Sequence, residues 1–410
     1  MKVLYVDYSI GFGGSFKSLA LTFSGLPAVE KVLATAQDDN LVRKWFPETD
    51  VCYFRRHVNY RSKGRFESRF PRSLDRRVAL KLFAVADTTA FALSTAMLYR
   101  LIKRKRIDLV HLNNGFIREG AYAAWMAQVP FLVHMRGFPW PIGDTAGKPD
   151  RWLLESAAAR SVAAIIGVSK AVTDSVTEVA YNRYTIYDPV DLAVADIAAS
   201  RRDVIRAEWR LPANAIAIGI FGRVVEWKGQ MQFVNAVVGA MRADPRIRGF
   251  IVGDQSDGGP EYFDRVREVI RDSGIADRFV LTGYRSNVDD YFAAMDVVVH
   301  ASISPEPFGM VVPEAMAAGR PVIATDAGGP HEIVSHGVDG LLVTPGDVAS
   351  MEAAMHRLVA DAQLRHQMGG AGRRKAVAMF SIEANARRVQ AVYDNVLRGV
   401  GKSTGDDTPG

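Results

Sequence analysis

With 410 residues, 48% of them hydrophobic and 23% charged, the chain can build two domains with cores of their own, and its balance excludes a disordered protein. A single cysteine, Cys52, excludes an intrachain disulfide and suits a reducing cytosol, so a cytoplasmic location is expected. The formal charge of +6 is modest, and its uneven placement along the chain says more than its sum.

The first residues, Met-Lys-Val-Leu-Tyr-Val-Asp7, lack a signal peptide's long apolar region and read as a strand, Lys2–Asp7. Gly11-Phe12-Gly13-Gly14-Ser15 follows and opens a helical run, Phe16–Phe23. Glycines there let the backbone approach a ligand and leave helix N-terminal amides accessible. The spacing fails the G-x-G-x-x-G dinucleotide fingerprint, with Phe16 where the last glycine belongs, and an ordinary tight turn explains the residues alone equally well.

After a strand at Lys31–Ala34 comes a basic segment. Nine cations (Arg55, Arg56, Arg61, Lys63, Arg65, Arg69, Arg72, Arg76 and Arg77) alternate with Tyr53, Phe54, Tyr60, Phe66 and Phe70. A solvated loop accounts for such a run, but the mixture with aromatics favours an anionic membrane surface or a polyanionic acceptor. Nothing else in the chain resembles a nucleic-acid module, so no nucleic-acid partner is expected. The apolar stretch Val78–Ile102 approaches a membrane span in length. Lys81 and Asp87 interrupt it, and it reads as a buried or half-buried helix whose basic end, Lys103-Arg-Lys-Arg106, suits the helix dipole. No transmembrane segment is expected.

Strands at Leu109–Leu112, Pro130–His134, Ala164–Val168 and Thr185–Tyr187 complete a first set. A second set of similar rhythm runs Ile216–Phe221, Gly249–Val252, Arg278–Thr282, Val297–His300, Pro321–Thr325 and Gly340–Val343. Strands alternating with helical patterns predict an α/β fold of two Rossmann-like domains, residues 1–190 and 191–381. Asp188-Pro-Val-Asp191 closes the first, and a polar, Arg-rich helix around Ser200–Trp209 leads into the second. A last helix, Ile382–Leu397, follows Ser381 as its N-cap, and the polar tail 401–410 is expected to be disordered.

Chemistry concentrates in the second half. Arg223 and Lys228 straddle the end of one strand and the start of the next helix, between Gly222 and Gly229. Glu306 and Glu314 flank a small-residue turn that opens a helix, Pro313–Ala318, so backbone amides and a positive helix end lie between two acceptors. Downstream come Asp326-Ala-Gly328-Gly329-Pro-His-Glu332 and Gly340-Leu-Leu-Val-Thr-Pro-Gly346-Asp347. In the first half, His134 ends an apolar strand and is followed by Arg136, which would meet an acceptor phosphate or lie on the surface. His111, Asn113 and Asn114 end another strand. His300, His331 and His336 do not make a metal-ligand spacing, and no Asp-x-Asp occurs.

This ordered set resembles the retaining GT-B glycosyltransferases of the GT4 family, most densely from Gly219 to Asp347. The resemblance implies two Rossmann-like domains facing across a cleft, with the C-terminal helix 382–398 crossing back to the first. It implies transfer of a hexose-type sugar, with retention, from a nucleoside diphosphate donor to a glycan or lipid-linked acceptor in cell-surface glycan biosynthesis. Gly13 and Gly14 would lie against donor phosphates and reacting sugar, and His134 would contact that sugar. The family often follows that histidine with an acidic residue, where this chain has Met135-Arg136. Glu306 would accept from sugar hydroxyls and Glu314 from the ribose, with the amides of Phe308, Gly309 and Met310 on the sugar or diphosphate. Tyr284 and Arg285 fall in the base-binding loop, though a plain turn explains them nearly as well. Arg223 and Lys228 would stabilise the leaving diphosphate in place of a metal, so no cofactor is expected. Ser15, Asn113, Asn114 and Arg136 are acceptor-side candidates. Rival readings are a nucleotide-sugar epimerase, a non-catalytic nucleotide-sugar-binding or membrane scaffold protein and, third, a dehydrogenase.

Overall fold

The computed structural model describes residues 1–8, 13–36, 39–53, 76–139, 161–176, 182–254 and 260–402. These form two compact units. One comprises Met1–Gly167, Ser175–Thr185 and Arg388–Gly410, the other Val168–Asp174 and Ile186–Arg387.

The first unit is a parallel sheet of seven strands, β1 (Lys2–Asp7), β2 (Glu30–Thr35), β3 (Asp50–Tyr53), β4 (Leu109–Asn113), β5 (Phe131–Met135), β6 (Val162–Gly167) and β7 (Asn182–Thr185). Its order is β3-β2-β1-β4-β5-β6-β7. The central strands are continuous apolar runs because helices cover both faces of a parallel sheet. Val3 to Val6 and Leu109, Val110 and Leu112 have no exposed surface. The chain moves outward from β1 to β3 and then returns to β4 on the other side of β1, which leaves a topological switch point where open α/β sheets hold ligands. Register places Asp7 opposite Asn113 and Asn113 opposite His134, so three polar residues share the carboxyl edge of the sheet.

The helix Arg76–Lys105 spans 30 residues; in its C-terminal part Leu98, Leu101 and Ile102 are buried and Leu93 is 67% exposed. Among the described residues no helix is long and apolar enough to cross a membrane.

The second unit holds six parallel strands, β8 (Ile216–Phe221), β9 (Ile247–Val252), β10 (Phe279–Gly283), β11 (Val297–His300), β12 (Val322–Thr325) and β13 (Gly340–Val343). The order β10-β9-β8-β11-β12-β13 puts its switch point between β8 and β11. Ile218, Ile220, Val297 and Val299 pack with Phe233, Val237, Met351 and Met355 from the covering helices. Each such buried side chain contributes roughly 1.5–3 kcal/mol relative to exposure. Gly229, between Lys228 and the helix Gln230–Ala243, has φ 74°, and a Cβ there would sit 1.9 Å from the Ala301 carbonyl oxygen. Only glycine lets the chain turn this close to the end of β11.

Both Rossmann-like sheets match the expected class, with local differences. The edge strand β3 is unanticipated, and β7 lies at Asn182–Thr185 rather than Thr185–Tyr187. Asp191 caps a helix of its own, Leu192–Ala199, accepting from the Val194 amide at 3.0 Å, so the expected single helix begins only at Arg202. The last helix, with Ser381 accepting from the Ala384 amide at 3.2 Å, runs to Lys402, two residues into the expected tail. Gly11, Phe12, the cations Arg55 to Arg72 and the tail from Ser403 lie outside the described residues; Arg76 and Arg77 begin a helix.

Candidate functional site

In the second unit, β8 ends at Phe221 and β11 at His300, and the loops beyond them carry Arg223, Lys228, Ser302 and Glu306. Glu306 is 6% exposed, and one carboxylate oxygen, Oε1, takes three donors. Lys228 Nζ donates at 2.8 Å, His300 Nε2 lies at 2.8 Å, and the Ser302 hydroxyl closes the group. A carboxylate only accepts, so His300 donates from Nε2, and its Nδ1 lies 3.1 Å from the Thr325 hydroxyl. Burial pushes the Glu306 carboxyl up, but His300 and Lys228 beside it outweigh burial and hold it well below the usual carboxylate range. Lys228 thus comes already ion-paired, with its ammonium 4.5 Å from the Trp227 ring centroid.

The Glu306 backbone forms a parallel bridge with Gly328, and the Gly329 amide donates to its carbonyl at 2.9 Å. A Cβ on Gly328, where φ is 62°, would meet that carbonyl oxygen at 2.2 Å, which explains the Gly-Gly pair so far downstream. Among the described residues the amides of Phe308, Gly309 and Met310 donate to no protein acceptor. The Phe308 ring is buried against Tyr187 and Phe380, so this turn is anchored by its side chain while its amides are left without a protein acceptor. The helix that follows is Val311–Ala317, starting two residues earlier than expected, with Glu314 half-buried in its first turn.

Arg223 is exposed, with its carbonyl accepting from Gln230 Nε2 at 2.8 Å. Tyr284 is 67% exposed, whereas Arg285 stacks between Trp209 and Tyr291 and donates to the Thr282 carbonyl at 3.2 Å. Glu332 accepts from the amides of Lys170 and Ala171 at 2.8 and 3.1 Å and from the Tyr187 hydroxyl at 3.1 Å, which gives it a structural task.

In the first unit, Gly13 and Gly14 are exposed at the start of the helix Gly14–Ser24, with Ser15 half-buried behind them. Arg136 is buried rather than on the surface: its Nε donates to Asn113 Oδ1 at 2.9 Å and its terminal nitrogen to Ser18 Oγ at 2.6 Å. Asn113 in turn donates to Asp7 Oδ1 at 2.8 Å. Asn114 is exposed, with φ 71°. His134 has no exposed surface, and its Nδ1 lies 3.2 Å from His111 Nε2. Burial, and then the Arg136 charge, hold both imidazoles well below the ordinary histidine range, so both are neutral.

Asp7, Ser18, Ser302 and Thr325 are partners that sequence reasoning passed over. A polar residue ending an apolar parallel strand is a usable signal, and it marks Asp7 and Thr325 as it marks His134 and His300.

The pair of parallel sheets defines a GT-B fold, and solved structures agree. The crystal structure of Anabaena Alr3699/HepE in complex with UDP aligns with a TM-score of 0.78 over 96% of this chain and 100% of that one, at 23% identity, a likeness of fold. Residues 29–186 match the family described as glycosyl transferase 4-like domain, and residues 201–375 the glycosyl transferases group 1. A 2-deoxystreptamine glucosyltransferase of Streptomyces kanamyceticus is 31% identical over 73% of this chain and 80% of its own length. The chain belongs to these GT4-type glycosyltransferases. The lipopolysaccharide core biosynthesis mannosyltransferase LpsB of Rhizobium meliloti is 31% identical over 44% of this chain, and the match spans 52% of that relative.

Proposed function

We propose that this chain transfers a hexose-type sugar, with retention and without a metal, from a nucleoside diphosphate donor to a hydroxyl of a glycan or lipid-linked acceptor in cell-surface glycan biosynthesis. The observation that carries the reading is the second-unit switch point, where an ion-paired, buried Glu306 stands beside three amides without a protein acceptor among the described residues. A leaving diphosphate gains charge as the glycosidic bond breaks. Arg223, Lys228 and the amides of Phe308 to Met310 would take up that charge, and Lys228 would be shared between Glu306 and phosphate. Glu306 would hold sugar hydroxyls and Glu314 the ribose. Gly13, Gly14 and His134 would serve the donor from the first unit, and Ser15, Asn113, Asn114 and Arg136 the acceptor. The lipopolysaccharide relative supports a cell-surface acceptor. The basic segment Arg55–Arg77 would seat the protein on the cytoplasmic face of an anionic membrane.

The test is a titration panel of UDP-, GDP-, ADP- and dTDP-sugars, followed by turnover of the donor that binds, in buffer with EDTA, and NMR of the product anomer. One donor should bind, turnover should survive chelation, and the anomeric configuration should be kept. Activity that vanishes in EDTA and returns only with magnesium or manganese would refute the metal-free part, and an inverted product the retention.

A further inference from the structure

The first unit holds four titratable side chains in one hydrogen-bonded row. The Tyr5 and Tyr393 hydroxyls are 3.0 Å apart, the Tyr393 hydroxyl is 2.6 Å from His111 Nδ1, and His111 Nε2 is 3.2 Å from His134 Nδ1. None of the four has any exposed surface. The His111 ring lies 5.0 Å from Tyr5 and 5.2 Å from His134, centroid to centroid, and this packing fixes the ring planes. The row ends at His134 Nε2, a buried nitrogen with no partner among the described residues.

With both imidazoles neutral, the protons along this row have two consistent orders. In one, Tyr5 donates to Tyr393, Tyr393 to His111 Nδ1, and His111 Nε2–H to His134 Nδ1, which leaves the His134 proton on Nε2. In the other, every bond reverses: His134 Nδ1–H donates to His111 Nε2, His111 Nδ1–H to Tyr393, and Tyr393 to Tyr5, and His134 Nε2 is a bare acceptor. Imidazolium at both rings would put two N–H groups in conflict between His111 and His134. Burial and the nearby Arg136 charge oppose it.

We propose that Tyr393 and His111 are positioning residues that set the tautomer of His134, so that His134 Nε2 meets a substrate hydroxyl as a single defined partner. A hydroxyl is the group that fits, because it can accept from Nε2–H or donate to bare Nε2, whichever order holds; a carboxylate or phosphate can only accept. A buried nitrogen without a partner is costly, and a hydroxyl that reaches it on binding relieves that cost. That the hydroxyl belongs to a sugar rests on the glycosyltransferase reading above.

The experiment is histidine 15N NMR on the full chain, wild type against Tyr393→Phe, which keeps the ring and removes the O–H that orders His111. Wild-type His134 should show one tautomer, and Tyr393→Phe should shift it to the other or to a mixture. Should Tyr393→Phe fail to fold, His111→Gln replaces the ring that partners His134 Nδ1 with an amide that can either donate or accept there, and reads out the same way. Unchanged His134 nitrogen shifts in the folded variant overturn the proposal, with or without transferase activity. With the donor identified by the panel, turnover should fall about tenfold or more while affinity for the free nucleoside diphosphate stays unchanged. Full turnover in a variant whose His134 tautomer has moved overturns the positioning role. Absence of any transfer by wild type, with the tautomer shift present, refutes the transferase reading and leaves the row standing.

Discussion

Each sheet carries polar side chains at the carboxyl ends of its central strands, but the two edges are wired differently. At the second, a buried carboxylate meets an ammonium, an imidazole and a hydroxyl on one oxygen, so charge is matched by charge. At the first, the Arg136 guanidinium donates to the neutral oxygens of Asn113 and Ser18, and the adjacent histidines are kept neutral. The shared topology decides where a ligand can sit. The side chains differ: a carboxylate bonded to an ammonium, an imidazole and a hydroxyl at one edge, and a guanidinium, an Asn113–Asp7 pair and two neutral imidazoles at the other.

The hardest blow to the ionic edge is removal of its carboxylate. Glu306→Ala leaves Lys228 and His300 without their acceptor and should cost about 3–5 kcal/mol in stability, with turnover down at least about a hundredfold. Urea unfolding and donor turnover measure the two, and a variant of wild-type stability would show that the pair is solvated. Gly229→Ala attacks the backbone under the same edge. Its Cβ has no room beside Ala301, so a loss of about 3 kcal/mol is expected in the same unfolding assay. Glu314→Ala should weaken binding of the free nucleoside diphosphate by about 1.5–3 kcal/mol, whereas Glu306→Ala should leave it nearly intact. Equal losses by titration would end that division of roles.

A pH series separates the edges further. The folded Glu306 carboxyl titrates below its unfolded value of about 4.3, so its contribution is whole above that pH and drains away as pH falls through the lower folded value. Melting temperature should therefore fall more steeply below about pH 4 in wild type than in Glu306→Gln; parallel curves would contradict this. Smallest per residue is the contribution of the basic segment, on the order of 1 kcal/mol for each cation at an anionic surface. Reversing Arg61, Lys63, Arg65 and Arg69 to Glu should abolish sedimentation with anionic liposomes at low salt and spare donor binding. Liposome binding that survives the reversal would assign the segment another task.

Strands such as Ile216–Phe221 and Val297–His300 were legible because a parallel strand covered on both faces must be apolar throughout. The edge strands β3 and β7 were not, since Asp50, Tyr53, Asn182 and Arg183 face water and break that pattern. Glu306, Lys228 and Arg223 stood out through their glycine-bounded segments. Their wiring did not: nothing local predicts that Lys228 is spent on Glu306, or that Arg136 is buried, because both follow from how loops of separate strands converge. The Tyr393–His111 contact, 282 residues apart in sequence, was beyond any local signal.

That contact also bears on how the protein is made. Tyr393 lies midway along the helix Ile382–Lys402, near the end of the described residues, and fills the first unit's core beside Tyr5 and His111. As the ribosome extends the chain from its N-terminus, β1 to β7 emerge with that place empty, and it stays empty until the whole of the second unit has been translated. The first unit is therefore begun first and finished last, and a nascent chain stalled before Tyr393 exposes a half-built core to chaperones or to aggregation.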